Sequence, residues 1–190
     1  GREDLAQAVA AGHGTTAPIS IRVNPDVDAQ SHPYISTGLR ENKFGVSFSE
    51  AERLYAQASN NAGLKPVGVA CHIGSQITDL APLEEAFVKM RGLVQRLRTE
   101  GLSVERLDLG GGLGVPYFNM PTPATPADYA AMIARTMKGL DVEFAFEPGR
   151  MIAANAGILL SRVQHIHERP EGRKFAVLDA AMNDLIRPAM

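Results

Sequence analysis

Four short apolar, β-branched runs, at residues 19–23, 67–71, 107–109 and 144–146, return at intervals of roughly forty residues. That recurrence constrains the fold more than any other feature of the chain. Each run is followed by a glycine-rich or polar loop and then by an amphipathic stretch, the layout of successive strand-helix units whose strands lie parallel in one sheet. An α/β fold is predicted.

The helices announce themselves by their first residues. Ser49 and Glu52 have the spacing of a capping box ahead of Ala51, Leu54, Tyr55 and Ala58. Pro82 suits a first helical position ahead of Leu83, Ala86, Phe87, Met90, Leu93, Val94 and Leu97, and Thr125-Pro126 opens a stretch through Tyr129, Met132 and Ile133. Gly63 and Gly101 are expected to stop the first two helices. The proline-rich stretch 115–126 has neither period and, lying between a strand and its helix, is expected to be an ordered surface loop and a candidate lid rather than a domain linker. After Ile158 the pattern changes. Residues 159–163 and 175–178 read as strands joined by the turn Glu168-Arg169-Pro170-Glu171-Gly172, the start of a second, β-rich domain over 159–190 after a first over 1–158.

Composition narrows the function. With 190 residues, 45% of them hydrophobic, the chain can bury a substantial core. Nineteen basic against 21 acidic side chains, a net charge of −2, point away from nucleic acid and from anionic membranes and toward a small-molecule partner. No apolar run is long enough to span a bilayer. The single cysteine, Cys71, cannot form an internal disulfide, which fits a reducing, cytoplasmic compartment. The chain begins without Met and stops at Met190 without a helix end, as expected of a fragment.

Chemistry is expected where three of the strands end. His72-Ile73-Gly74-Ser75-Gln76 follows the second run, Gly110-Gly111-Gly112-Leu113-Gly114 the third, and Glu147-Pro148-Gly149-Arg150 the fourth. In a parallel sheet or barrel those C-terminal ends open on one face, the face on which ligand sites are built. The glycine run either permits a tight turn or bares backbone amides to a phosphate, with the Ser75 hydroxyl as a second donor. It fits neither a Walker loop nor Gly-x-Gly-x-x-Gly. His72 is either a structural histidine or a ligand-binding one, and Glu147 either a catalytic carboxylate or half of an ion pair with Arg150. Strand alternation turns Cys71 away from His72 and into the core. The histidines lack the spacing of a zinc site, so no metal is expected.

The set Ile21-Arg22-Val23-Asn24-Pro25, Lys43-Phe44-Gly45, His72-Ile73-Gly74-Ser75-Gln76, Leu107-Asp108-Leu109-Gly110-Gly111-Gly112 and Glu147-Pro148-Gly149-Arg150 resembles the pyridoxal-phosphate-dependent decarboxylases of the alanine-racemase-like fold. Thr37-Gly38, Gln76 and the closing stretch from Asp179 to Pro188 resemble the diaminopimelate branch of that family rather than the ornithine or arginine branches. The resemblance implies part of a (β/α)8 barrel, a homodimer, pyridoxal 5'-phosphate as cofactor and an amino acid as substrate. It also assigns roles. His72 would lie against the pyridine ring and Glu147 would bond its nitrogen. Ser75, Gly110, Gly111 and Gly112 would hold the phosphate, with Gly149 and Arg150 beside it, and Arg150 and Arg187 would grip a substrate carboxylate.

The family attaches its cofactor through a lysine in a Tyr-Ala-x-Lys-Ala-Asn-like context. None of Lys43, Lys65, Lys89, Lys138 or Lys174 has that context, and the family's later catalytic cysteine has no counterpart in Cys71. The expectation is therefore the central part of a decarboxylase. The alternatives are a same-fold decarboxylase of another basic or diamino acid and a non-catalytic pyridoxal-phosphate-binding protein.

Overall fold

The computed structural model describes residues 3–29, 44–118 and 121–185. Thr37, Gly38, Lys43 and Arg187 lie outside the described residues. The chain divides into two compact units, Gly1–Ile152 and Ala153–Met190, so the division falls within a short helix and a few residues before the change of pattern at 158.

In the first unit α1 (Glu3–Gly12), β1 (Ala17–Arg22), α2 (Phe48–Ser59), β2 (Leu64–Ala70), α3 (Ala81–Thr99), β3 (Arg106–Asp108), α4 (Pro126–Thr136), β4 (Glu143–Ala145) and α5 (Gly149–Ala153) follow one another. The strands form one parallel sheet in the order β1-β2-β3-β4. Each strand lies beside its predecessor, as in a β/α barrel, and the order never reverses as it does in a doubly wound sheet. The sheet is thus part of a parallel barrel. Pro66 has no N–H to give, and the β1–β2 register shifts beside it, between Ile19 and Ser20. At Gly68 a Cβ would lie 2.2 Å from the Arg106 carbonyl oxygen, so glycine is what lets β2 and β3 close on each other.

The core lies between the sheet and α2, α3 and α4. Along α3, Leu83, Phe87, Met90, Val94 and Leu97 form a continuous stripe at 1% exposure or less against Val69, Leu107 and Leu109. Burying each such side chain is worth about 1.5–3 kcal/mol. Cys71 belongs to this core, and burial pushes its thiol up to about 12.

Two of the expected helix-end signals are in place. Thr125 caps α4 in a full capping box with Asp128, and Gly101, at φ 79, follows the α3 cap residue Glu100. The cap of α2, however, is Ser47, which accepts from the Glu50 N–H, and not Ser49. Two overlapping Ser-x-x-Glu patterns compete there, and Phe48, packed on the core, draws the start upstream. Glu52 instead pairs with Arg96 on α3 at 2.5 Å. Asn60, not Gly63, caps the α2 C-terminus. Both α1 and α5 escaped the sequence reading, α1 because Arg2, Glu3 and Asp4 mark its start as merely polar.

In the second unit an antiparallel hairpin joins β5 (Val163–Glu168) and β6 (Lys174–Leu178). The first strand was expected at 159–163. Its true register is counted from the turn, where the Arg169 N–H donates to the Arg173 carbonyl at 2.8 Å and Gly172 takes φ 82.

Candidate active site

The three clusters converge. Parallel pairing of β2, β3 and β4 brings their C-terminal ends side by side, and the loops that leave them touch through backbone atoms. A Cβ on Gly110, Gly111 or Gly112 would lie 2.2, 2.1 or 2.4 Å from the carbonyl oxygens of Cys71, Glu147 and Gly74. Gly110 and Gly112 also hold φ values of 67 and 114. Packing therefore requires glycine at all three positions before any ligand is considered.

Two of the three amides are engaged within the protein. Gly110 N–H donates to Asp108 Oδ1 at 2.8 Å, an Asx-type turn at the end of β3, and Gly111 N–H donates to His72 Nδ1 at 3.2 Å. Among the described residues no acceptor takes the Gly112 N–H, while its carbonyl accepts from Ile77 at 2.8 Å.

His72 is fixed by this arrangement. A nitrogen that accepts carries no proton, so the imidazole bears its hydrogen on Nε2. Burial holds its pKa below the usual histidine range; the Arg22 guanidinium adds to that, while Glu147 and Asp108 work against it. Glu147 Oε2 lies 3.8 Å from His72 Nδ1, close enough for its charge to act on the ring and too far for a hydrogen bond. The burial of the ring outweighs the attraction of that carboxylate, whose side chain is 61% exposed against 23% for His72. Arg22 ends β1, lies over the Phe44 ring at 5.2 Å and reaches the His72 carbonyl at 3.5 Å.

Arg150 does not pair with Glu147. Its Nη1 donates to Gln76 Oε1 at 3.2 Å, and among the described residues no ion pair joins it to a carboxylate. Gly149 differs from the glycine run: a Cβ there would meet nothing within 4 Å, and its φ is not one that asks for glycine. Ser75 is half-buried at the mouth of β2. Sequence reasoning gave Arg22 and Asp108 no part in the site, and included Gln76 in the cluster after β2 without a role. The signal for Asp108 was there, a carboxylate two residues before a glycine at a strand end.

These donors and acceptors fit pyridoxal phosphate. An exposed carboxylate suits a ring nitrogen that carries a proton, a neutral imidazole offers a flat face, Gly112 and Gly149 leave backbone without side chains, and Ser75 supplies a hydroxyl at the end of β2. Among the described residues no three His, Cys, Asp or Glu side chains form a metal-binding group, and no helix is long and apolar enough to cross a membrane.

Known proteins resemble the chain in sequence and fold. A diaminopimelate decarboxylase of Pseudomonas aeruginosa is 54% identical over 184 residues, 97% of this chain and 44% of the relative. The crystal structure of diaminopimelate decarboxylase from Helicobacter pylori complexed with L-lysine matches with a TM-score of 0.91 at 42% identity, over 98% of this chain and 46% of that one. A lysine decarboxylase from Selenomonas ruminantium matches less well, with a TM-score of 0.72 at 28% identity over 88% of this chain and 42% of that one. The chain thus spans less than half the length of the relatives it matches. The family description "pyridoxal-dependent decarboxylase, pyridoxal binding domain" matches residues 3–154, and with the parallel barrel units and the converging strand ends it places the chain among the pyridoxal-dependent decarboxylases.

Proposed function

We propose that the full-length protein is a cytoplasmic, homodimeric carboxy-lyase that converts meso-2,6-diaminopimelate to L-lysine and carbon dioxide, the last step of lysine biosynthesis. The observation that carries it is Glu147 set beside a neutral His72 across the glycine floor of the site. The level of identity to diaminopimelate decarboxylases, against that to a lysine decarboxylase, supports the choice of substrate.

Pyridoxal phosphate, when bound, supplies the electron sink that accepts the pair left behind as the carboxylate departs. Glu147 holds a proton at the ring nitrogen, and a carboxylate does this because its negative charge favours the protonated ring. His72 presents an uncharged face, so that it adds no positive charge against that ring. Ser75 and the Gly112 amide hold the phosphate, Gly110 and Gly111 shape the floor, and Gly149 leaves room where neither backbone nor packing needs a glycine. Arg150 and Arg187 take the substrate's far carboxylate, for which a planar fork is suited.

The test uses the full-length protein. It is expected to show the near-ultraviolet to visible absorbance of bound cofactor and to release carbon dioxide from meso-diaminopimelate, with little from lysine or ornithine. Glu147→Gln is expected to keep the cofactor and lose about 10²-fold or more in turnover. Absence of cofactor absorbance, or equal turnover of lysine and diaminopimelate, contradicts the proposal.

A further inference from the structure

Gln76 stands out for its backbone as well as its side chain. At φ 57 it is one of two described non-glycine residues, with Asp26, in the left-handed region. Such a conformation persists only where the surroundings impose it, and it is found often at functional sites. Here the surroundings are specific. Gln76 Nε2 donates to the Val115 carbonyl at 2.5 Å, and Gln76 Oε1 accepts from the Val115 N–H at 3.2 Å and from Arg150 Nη1 at 3.2 Å. The next residue, Ile77, bridges to Leu113, so residues 76 and 77 form a strut laid along the glycine loop. A Cβ on Gly114 would press on that strut, 3.0 Å from the Ile77 carbonyl oxygen and 3.2 Å from Gln76 Nε2.

The orientation of the amide follows from its partners. A guanidinium and a backbone N–H can only donate and a carbonyl can only accept, so the Gln76 oxygen faces Arg150 and its nitrogen faces Val115. Val115 is 4% exposed, which shelters this double contact from water. The chemistry of the acceptor matters. An amide oxygen orients the guanidinium without cancelling its charge, whereas a carboxylate in the same place would neutralise it and compete with any anion it is meant to bind.

We propose that Gln76 is the positioning residue of Arg150, aiming its guanidinium without an ion pair, and thereby sets selectivity for substrates with a second carboxylate. The proposal rests on the function proposed above for its substrate. It does not rest on it for its geometry.

The experiment uses the full-length protein with Gln76→Gly, which tolerates the left-handed backbone and removes only the side chain, and with Gln76→Glu, Arg150→Ala and the double variant Gln76→Gly/Arg150→Ala. Cofactor absorbance reports whether each variant has folded with its site intact. Gln76→Gly is expected to keep that absorbance and kcat, to raise KM for meso-diaminopimelate by about ten-fold, the scale of one hydrogen bond to a charged group, and to add nothing in the Arg150→Ala background. Gln76→Glu is expected to raise KM as well, although its side chain has the same length. An unchanged KM in Gln76→Gly, or fully additive effects in the double variant, overturns the proposal. Should the unsubstituted protein fail to decarboxylate diaminopimelate, the function proposed above falls alone, and a crystal structure of Gln76→Gly decides the positioning. A displaced Arg150 guanidinium supports it, and one that keeps its place overturns it.

Discussion

At the scale of single residues, the site turns on how protons are distributed over His72. Its Nδ1 accepts from Gly111, and its surroundings favour the neutral ring, burial first and the Arg22 charge second. Because the folded-state pKa lies below the unfolded value of 6.5, the unfolded chain binds a proton where the folded one does not. The stability contributed by neutral His72 is therefore complete above that unfolded value and is lost as the pH falls through the folded pKa. Imidazole nitrogen shifts in the full-length protein are expected to report the Nε2–H tautomer near neutrality, and Arg22→Met is expected to raise the His72 pKa. A ring protonated on both nitrogens at neutral pH contradicts this account.

At the scale of elements, a few side chains tie units together where the apolar stripes cannot specify an angle. Tyr55 on α2 is fully buried, and its hydroxyl lies 2.7 Å from the Ser103 carbonyl and 3.2 Å from that of Pro66. One phenol thus joins α2 to β2 and to the segment that leads into β3. Burial, helped by Glu105, pushes the phenol up to about 12, so it remains a donor. Tyr55→Phe leaves two carbonyls to share no donor at that point and is expected to cost about 1–2 kcal/mol, read from urea denaturation of the full-length protein. No loss would mean that water replaces the hydroxyl there. The two ends of the 115–126 stretch are tied in a similar way, Val115 to Gln76 and Ala124 to the Thr78 carbonyl at 3.2 Å. Phe118, 94% exposed, is carried between them.

At the scale of the whole molecule, the site exists because three strand ends approach to backbone contact. Gly111→Ala tests this directly, since the new Cβ would stand 2.1 Å from a carbonyl oxygen that cannot swing aside. It is expected to part β4 from β3 and so to lower both the denaturation midpoint and the cofactor content of the full-length protein. Gly149→Ala, whose Cβ meets nothing within 4 Å among the described residues, is expected to leave the midpoint unchanged. Equal midpoints for the two variants would show that the glycine floor can yield.

Much of this was legible in one dimension. The partition of apolar side chains along the chain is a local property, and the recurrence of strand-like runs foretold the parallel sheet as the stripe from Leu83 to Leu97 foretold α3. The ends of the strands carried His72, the glycine run and Glu147 in plain sequence, and parallel pairing required them to meet on one face. Partners were not legible. Arg150 and Gln76 are 74 residues apart, and Gly111 and His72 39 apart, and such contacts depend on strand register and on the exact approach of two backbones. The choice of Ser47 over Ser49 as a cap followed from where Phe48 could be buried, and the strand at 163–168 from its hairpin partner. Local periodicity determined the elements and the face on which chemistry gathers. Tertiary packing alone decided which atoms touch there, because a hydrogen bond is set by tenths of an ångström that no pattern of residue types encodes.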